Sequence, residues 1–194
     1  AGAYVFSPRE RDWQTEEIIV DNDGSSHNSI YQEIEGKNEW VKAPVKGFGW
    51  RNGSLQMDEN PFERGTVRMN LTQKKVKDLA QTVYRPNFHK AGRYAVYVSY
   101  ATVEGSVPDA EYIVYHKRQE TRFHVNQQMG GGTWVYLGTF DFDRGCDGYN
   151  QVVVTNRSQS KGLITTDAVR FGGGMGNIER GSTVSGLPRC LEGA

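Results

Sequence analysis

Four histidines, at positions 27, 89, 116 and 124, are the side chains best suited to bind a transition metal or move a proton near neutral pH. None forms an HExxH or other close pair. His116 and His124 fall on or beside neighbouring strand segments and could meet only across a hairpin, so ordinary strand histidines are the expectation. Asp21-Asn22-Asp23-Gly24 has the oxygen-rich composition of a calcium loop. It lacks the rest of the twelve-residue pattern, above all a downstream bidentate Glu. A tight turn after the first strand is expected there, and a structural calcium is the one cofactor left open. No GxSxG, Walker loop or GxGxxG occurs. Gly172-Gly173-Gly174-Met175-Gly176 is a glycine linker without the strand–loop–helix setting of a phosphate site.

Asp167 is the most informative acid. It is expected mid-strand within Gly162–Phe171, on the buried face with Thr165, Val169 and Phe171. A carboxylate there must be hydrogen-bonded or paired. No motif sets a second carboxylate or a nucleophile beside it, so no catalytic residue is assigned. Trp134 is expected to pack in the core. Trp50, in the turn-like stretch from Lys46, is the candidate for a sugar-stacking ring, against the alternative of a core or loop-anchoring Trp. Asn126 and Gln127 are the accompanying candidates for hydrogen bonds to a glycan.

The elements that must position these residues are strands. Gly92–Tyr100 alternates cleanly, with Tyr94, Val96, Val98 and Tyr100 on one face. Glu111–Lys117, Thr121–Asn126, Thr133–Asp143 and Tyr149–Asn156 follow, the third of these placing Trp134, Tyr136, Phe140 and Phe142 on one side. Fainter strand signals occupy Glu17–Asp21, the residues around Trp40 and Thr66–Leu71. Gly130-Gly131-Gly132 reads as a hairpin tip. Val76, Leu79, Ala80 and Val83 are spaced like one face of a short helix over Gln73–Val83, which Pro86 ends. With 23 glycines, 10 tyrosines, 8 phenylalanines and 4 tryptophans, the pattern is that of a many-stranded antiparallel protein.

Charge and length exclude other classes. Lys plus Arg and Asp plus Glu are both 23, so there is no basic surplus for nucleic acid. No apolar run approaches the roughly 20 residues of a membrane helix. Cys146 and Cys190 leave pairing and two free thiols equally open. Ala1–Thr15 and Gly172–Ala194 lack strand alternation and read as connectors.

The order of short motifs resembles the golvesin C-terminal-like domain, the xanthan-lyase-type accessory domain of secreted bacterial proteins. The matching pieces are IIVDN at 18–22, Trp40, YRPNFHKAGRYAVYVSY at 84–100, EYIVYH at 111–116, FHVNQQMGGGTWVYLGTFDF at 123–142, VVVTN at 152–156 and TTDAVRF at 165–171. The resemblance covers 18–172, leaving 1–17 and 173–194 as connectors. It implies an all-β, antiparallel jelly-roll sandwich of galactose-binding-domain-like form. It also implies that Asp78–Arg85 is extended rather than helical, and it makes Asp21, Trp134, Asp167 and Arg170 structural motif residues. The family accompanies lyases, amidases and peptidases and brings no catalytic residues. The implied role is an accessory module, secreted, periplasmic or at the cell surface. It would bind polysaccharide or peptidoglycan, or act as a spacer, beside a fused catalytic domain. The tail resembles the exit toward a zinc cell-wall amidase-like domain, to which Glu192 would belong. The stretch between Trp40 and Tyr84, with Asn60-Pro61-Phe62-Glu63-Arg64, is longer than the family pattern.

Overall fold

A computed structural model describes residues 16–48, 65–173 and 190. The connectors, Trp50, the 60–64 insertion and Glu192 lie wholly or mostly outside the described residues. The described residues form thirteen strands: β1 (Glu17–Asp21), β2 (Gly24–Ser25), β3 (Ile30–Ile34), β4 (Val41–Lys46), β5 (Thr66–Leu71), β6 (Gln81–Arg85), β7 (Gly92–Ser99), β8 (Ala110–His116), β9 (Gln119–Val125), β10 (Val135–Phe142), β11 (Gln151–Thr155), β12 (Leu163–Thr166) and β13 (Ala168–Gly172). They form a sandwich of two five-stranded antiparallel sheets, β10-β7-β13-β1-β2 and β3-β6-β11-β8-β9, with a three-stranded sheet β12-β5-β4 alongside. Pro44 sits in β4, an edge strand, where its missing N–H costs no ladder bond.

The interior is built by period-two alternation. Tyr94, Val96, Val98 and Tyr100 point inward from β7 as their spacing predicts. They meet Tyr84, Tyr112, Val114, Val152 and Val154 from the opposite sheet. One end is aromatic: the Phe88 ring lies 4.7 Å from both Tyr94 and Phe142 and 5.6 Å from Phe171. Phe88 stacks on Phe142 and meets Phe171 edge-on, both arrangements that stabilise beyond the area buried. The two deepest tyrosines keep their hydroxyls bonded, Tyr84 with Thr166 Oγ1 and Tyr112 with the Gln127 amide at 3.0 Å.

Several sequence expectations are corrected. The helix over Gln73–Val83 is a single 3₁₀ turn at Val76–Asp78, followed by β6. Val83 and Ala80 do not share a helical face: Val83 sits in a small cluster apart from the main core, which Ala80 joins. The extended stretch implied by the family resemblance therefore begins at Leu79, just after the turn, and the paired strand at Gln81. Gly162–Phe171 is two strands, not one, with Asp167 at the corner between β12 in the three-stranded sheet and β13 in a main sheet.

The triple glycine is no hairpin tip, because β9 and β10 belong to different sheets. Gly130 and Gly132 take φ of 79° and 72°, and a Cβ on Gly131 would strike the Thr102 backbone. In β10 a bulge between Tyr136 and Gly138 breaks the expected single face. Phe140 and Phe142 turn to the core, whereas Tyr136 is exposed against Tyr97. Trp134 precedes the strand and meets the Phe48 ring edge-on at 5.7 Å. Cys146 and Cys190 form a disulfide.

Candidate functional site

Alternation that turns Tyr112 and Val114 inward turns Glu111, Ile113 and Tyr115 outward from β8. The registers of β6, β11, β8 and β9 then align these with neighbours in rows across the sheet. One row is Gln81, Thr155, Glu111 and His124; the next is Val83, Val153, Ile113 and Arg122. Tyr115 stands opposite Gln151 and Glu120 in a third. The apolar row, with Tyr115 packed on it, forms a small cluster outside the main core.

Over these rows lies an open groove of about 480 Å³. Its floor is the outer face of the sheet. Val76 and Leu79 beside the 3₁₀ turn, with Asp109, Arg157, Ser158 and Gln159, complete its lining. Glu111 Oε1 accepts the Thr155 hydroxyl at 2.9 Å, and Glu111 Oε2 lies 3.5 Å from Arg122 Nη1. Asp109 accepts from the Ser158 hydroxyl and, at 2.9 Å, from the Gln159 N–H. Arg122 is half exposed, and Arg157 is paired with no carboxylate among the described residues. The groove therefore offers one aromatic ring, an apolar strip, hydroxyl and amide groups, and two guanidiniums. Burial pushes the Tyr115 hydroxyl up, with the Glu120 charge adding, so the phenol stays protonated. That suite of groups can hold a polar ring by stacking and hydrogen bonding.

Of the candidates named from sequence, Trp50 lies outside the described residues, and Asn126 and Gln127 are placed elsewhere. Gln127 is completely buried. Its Nε2 donates to Tyr112 Oη and to the Thr165 carbonyl (2.8 Å), and its Oε1 accepts the Thr165 N–H at 3.0 Å. It fastens the β9 exit to β12 and has no face for a ligand. Asn126 closes an Asx turn by accepting the Gln128 N–H at 3.0 Å. Asn126 and Gln127 are thus adjacent in sequence but do not share a surface.

Asp21, Asp167 and Arg170 gather where the first and last described strands pair. Asp21 ends β1 and Asp167 precedes β13, its neighbour. Asp21 Oδ1 accepts the Asp23 N–H, and Asp167 Oδ2 accepts the Phe48 N–H at 2.5 Å. Burial raises the Asp167 carboxyl well above the usual carboxylate range; the Phe48 N–H opposes this and the Asp23 charge adds to it. Arg170 reaches Glu17 and lies over the Tyr97 ring at 5.0 Å.

His116 and His124 do not meet: His124 faces Glu111 and His116 faces Gln119, five pairs along the hairpin. Burial lowers the His116 imidazole, with the Asp141 charge opposing. The groove was missed because its residues are a row across strands, not a run along one. The available signal was the outward set on Glu111–Tyr115 and Arg122–His124, polar or aromatic on adjoining strands.

Residues 63–173, more than half of the 194, match the golvesin C-terminal domain. The chain belongs to that family. Both β-sheets of the sandwich take part in this golvesin C-terminal domain, whereas β1 to β4 precede the matched segment. A xanthan lyase of Bacillus sp. (strain GL1) is 30% identical over 95 residues, which is 49% of this chain and 10% of that protein. The structure of a Paenibacillus xanthan lyase superposes with a TM-score of 0.59 at 22% identity, over 83% of this chain and 13% of that one. The fold of this golvesin-type chain is thus that of a segment of xanthan lyase, and the chain spans about a tenth of these relatives' length.

Proposed function

We propose that the chain is a non-catalytic accessory module of an exported enzyme acting on polysaccharide or peptidoglycan. Its role is to hold carbohydrate in the groove across β6, β11, β8 and β9. The observation that carries this reading is the groove itself: an aromatic ring and apolar strip flanked by hydrogen-bonding rows. A pyranose would lay its C–H face on Tyr115 and Ile113. Its hydroxyls would reach Gln81, Thr155 and His124. Arg122 and Arg157 would take a sugar carboxylate, for which guanidinium geometry is suited.

Engagement of the acids supports the non-catalytic part. Glu111 is held by Thr155 and Arg122, and Asp109 by the turn it caps. A general acid or base must instead be aimed at a bound substrate. Export is supported by the Cys146–Cys190 disulfide, a linkage that persists in oxidising compartments. A polysaccharide setting is supported by the relationship to xanthan lyase, with catalysis residing in another domain of the parent chain. Among the described residues, no helix is long and apolar enough to cross a membrane.

The alternative is a spacer that orients a fused hydrolase or lyase domain, favoured by the short share of the relatives that the chain spans. Retention of the 194-residue chain on insoluble polysaccharide and on peptidoglycan sacculi separates the two. Binding released by soluble oligosaccharide is expected. Passage through every matrix at millimolar ligand would leave the spacer reading.

A further inference from the structure

We propose that Asp21, Asp23 and Asp167 form a calcium site at the seam where the first and last strands of the sandwich pair. One carboxylate oxygen from each lies within 4.8 Å of the others. Asp21 and Asp167 are each 1% exposed, so two of the three carboxyl groups are withdrawn from water. Asp167 supplies the independent sign of a ligand. Its Oδ2 accepts the Phe48 N–H, whereas its Oδ1 is buried with no hydrogen-bond partner. Neither Asp23 nor Asp167 pairs with a Lys or Arg among the described residues. An unbonded carboxylate oxygen beside two further acids is costly unless a cation completes it.

The surrounding chain holds the acids in place. Asp23 accepts the Thr66 N–H at 2.6 Å and the Thr66 hydroxyl at 2.8 Å, and Asn22 Nδ2 donates to the Thr66 carbonyl at 3.0 Å. Asn22 N–H donates to the Asp167 carbonyl at 3.1 Å. The turn after β1 is therefore fastened both to the start of β5 and to the β12–β13 corner. Oxygen atoms already accepting an N–H keep a lone pair for a metal. An all-oxygen set of three carboxyl groups without His or Cys suits a hard dication. Its irregular loop geometry suits calcium, which tolerates variable coordination completed by water, better than octahedral magnesium. The inference is independent of the glycan reading.

The test is a thermal melt and calorimetric titration of the 194-residue chain after dialysis against EDTA, with calcium and with magnesium. Calcium at about ten times its dissociation constant should raise Tm by about 3–6 °C. Magnesium should do less. Asp167→Asn keeps an acceptor for the Phe48 N–H but loses the charge, and should weaken calcium binding by about tenfold or more. Asp23→Asn, which keeps an acceptor for Thr66, carries the same expectation if Asp167→Asn does not fold. No heat and no Tm change at millimolar calcium, an unaltered response in both variants, or an equal response to magnesium would overturn the site.

Discussion

Arg170 Nε donates to Glu17 Oε2 at 2.9 Å, with the two side chains only 5% and 8% exposed, 153 residues apart in sequence. The pair joins the first and last strands of the sandwich, which run side by side. Breaking a buried pair strands the remaining charge. Arg170→Met should therefore cost about 3–5 kcal/mol by urea denaturation, and Glu17→Gln combined with it should recover part of the loss. Single and double variants of equal stability would remove the pair from the account.

Gln127 should matter for folding and not for ligand. Gln127→Leu nearly conserves volume but leaves the Thr165 N–H and carbonyl and the Tyr112 hydroxyl without their partner. A loss of about 3 kcal/mol is expected, since each stranded polar group costs about 1–3 kcal/mol. Glycan affinity of the folded fraction should be unchanged. A stable variant with weakened affinity would restore Gln127 as a ligand residue.

Glu33 should shape the acid limb of stability. Arg68 grips it at 2.8 and 2.9 Å, and Tyr31 donates to it at 2.7 Å. Burial pushes its carboxyl up, but the bonds from Arg68 and Tyr31 together outweigh burial and hold it below 4.5. A lowered carboxyl stabilises the fold fully above the unfolded value and loses that contribution as pH falls through the lower folded value. The pair is about a quarter exposed, so the effect is screened to about 1 kcal/mol or less. Glu33→Gln should flatten the stability curve below pH 4.5 and leave its slope at pH 7 unaltered. An acid limb identical to that of the parent chain would contradict this.

The strands with clean alternation were legible in the sequence: Tyr94 to Tyr100 shows its buried face in the residue order alone. Features set by pairing between distant segments were not. The corner at Asp167 arises because Leu163–Thr166 finds β5 while Ala168–Gly172 finds β1 and β7, a choice that no local period records. The bulge in β10 shifts faces after Tyr136 for the same reason. Val76 and Leu79 have helical spacing, but one 3₁₀ turn gives way to β6, whose ladder with β3 and β11 outweighs local propensity. The family resemblance supplied the extended character that spacing missed. Of the site, the acids at 21 and 167 stood out as single residues, whereas the groove exists only once four strands are in register.

The most direct test is chemical-shift mapping of the 194-residue chain with oligosaccharides of the polysaccharide that retains it. Tyr115→Ala and Arg122→Ala serve as controls, with Tyr115→Ala expected to cost about 1–3 kcal/mol of binding. Perturbations should collect on Glu111, Tyr115, Arg122, His124 and Thr155 and fade in both variants. Shifts confined to another face, or full affinity in both variants, would contradict carbohydrate binding at the groove.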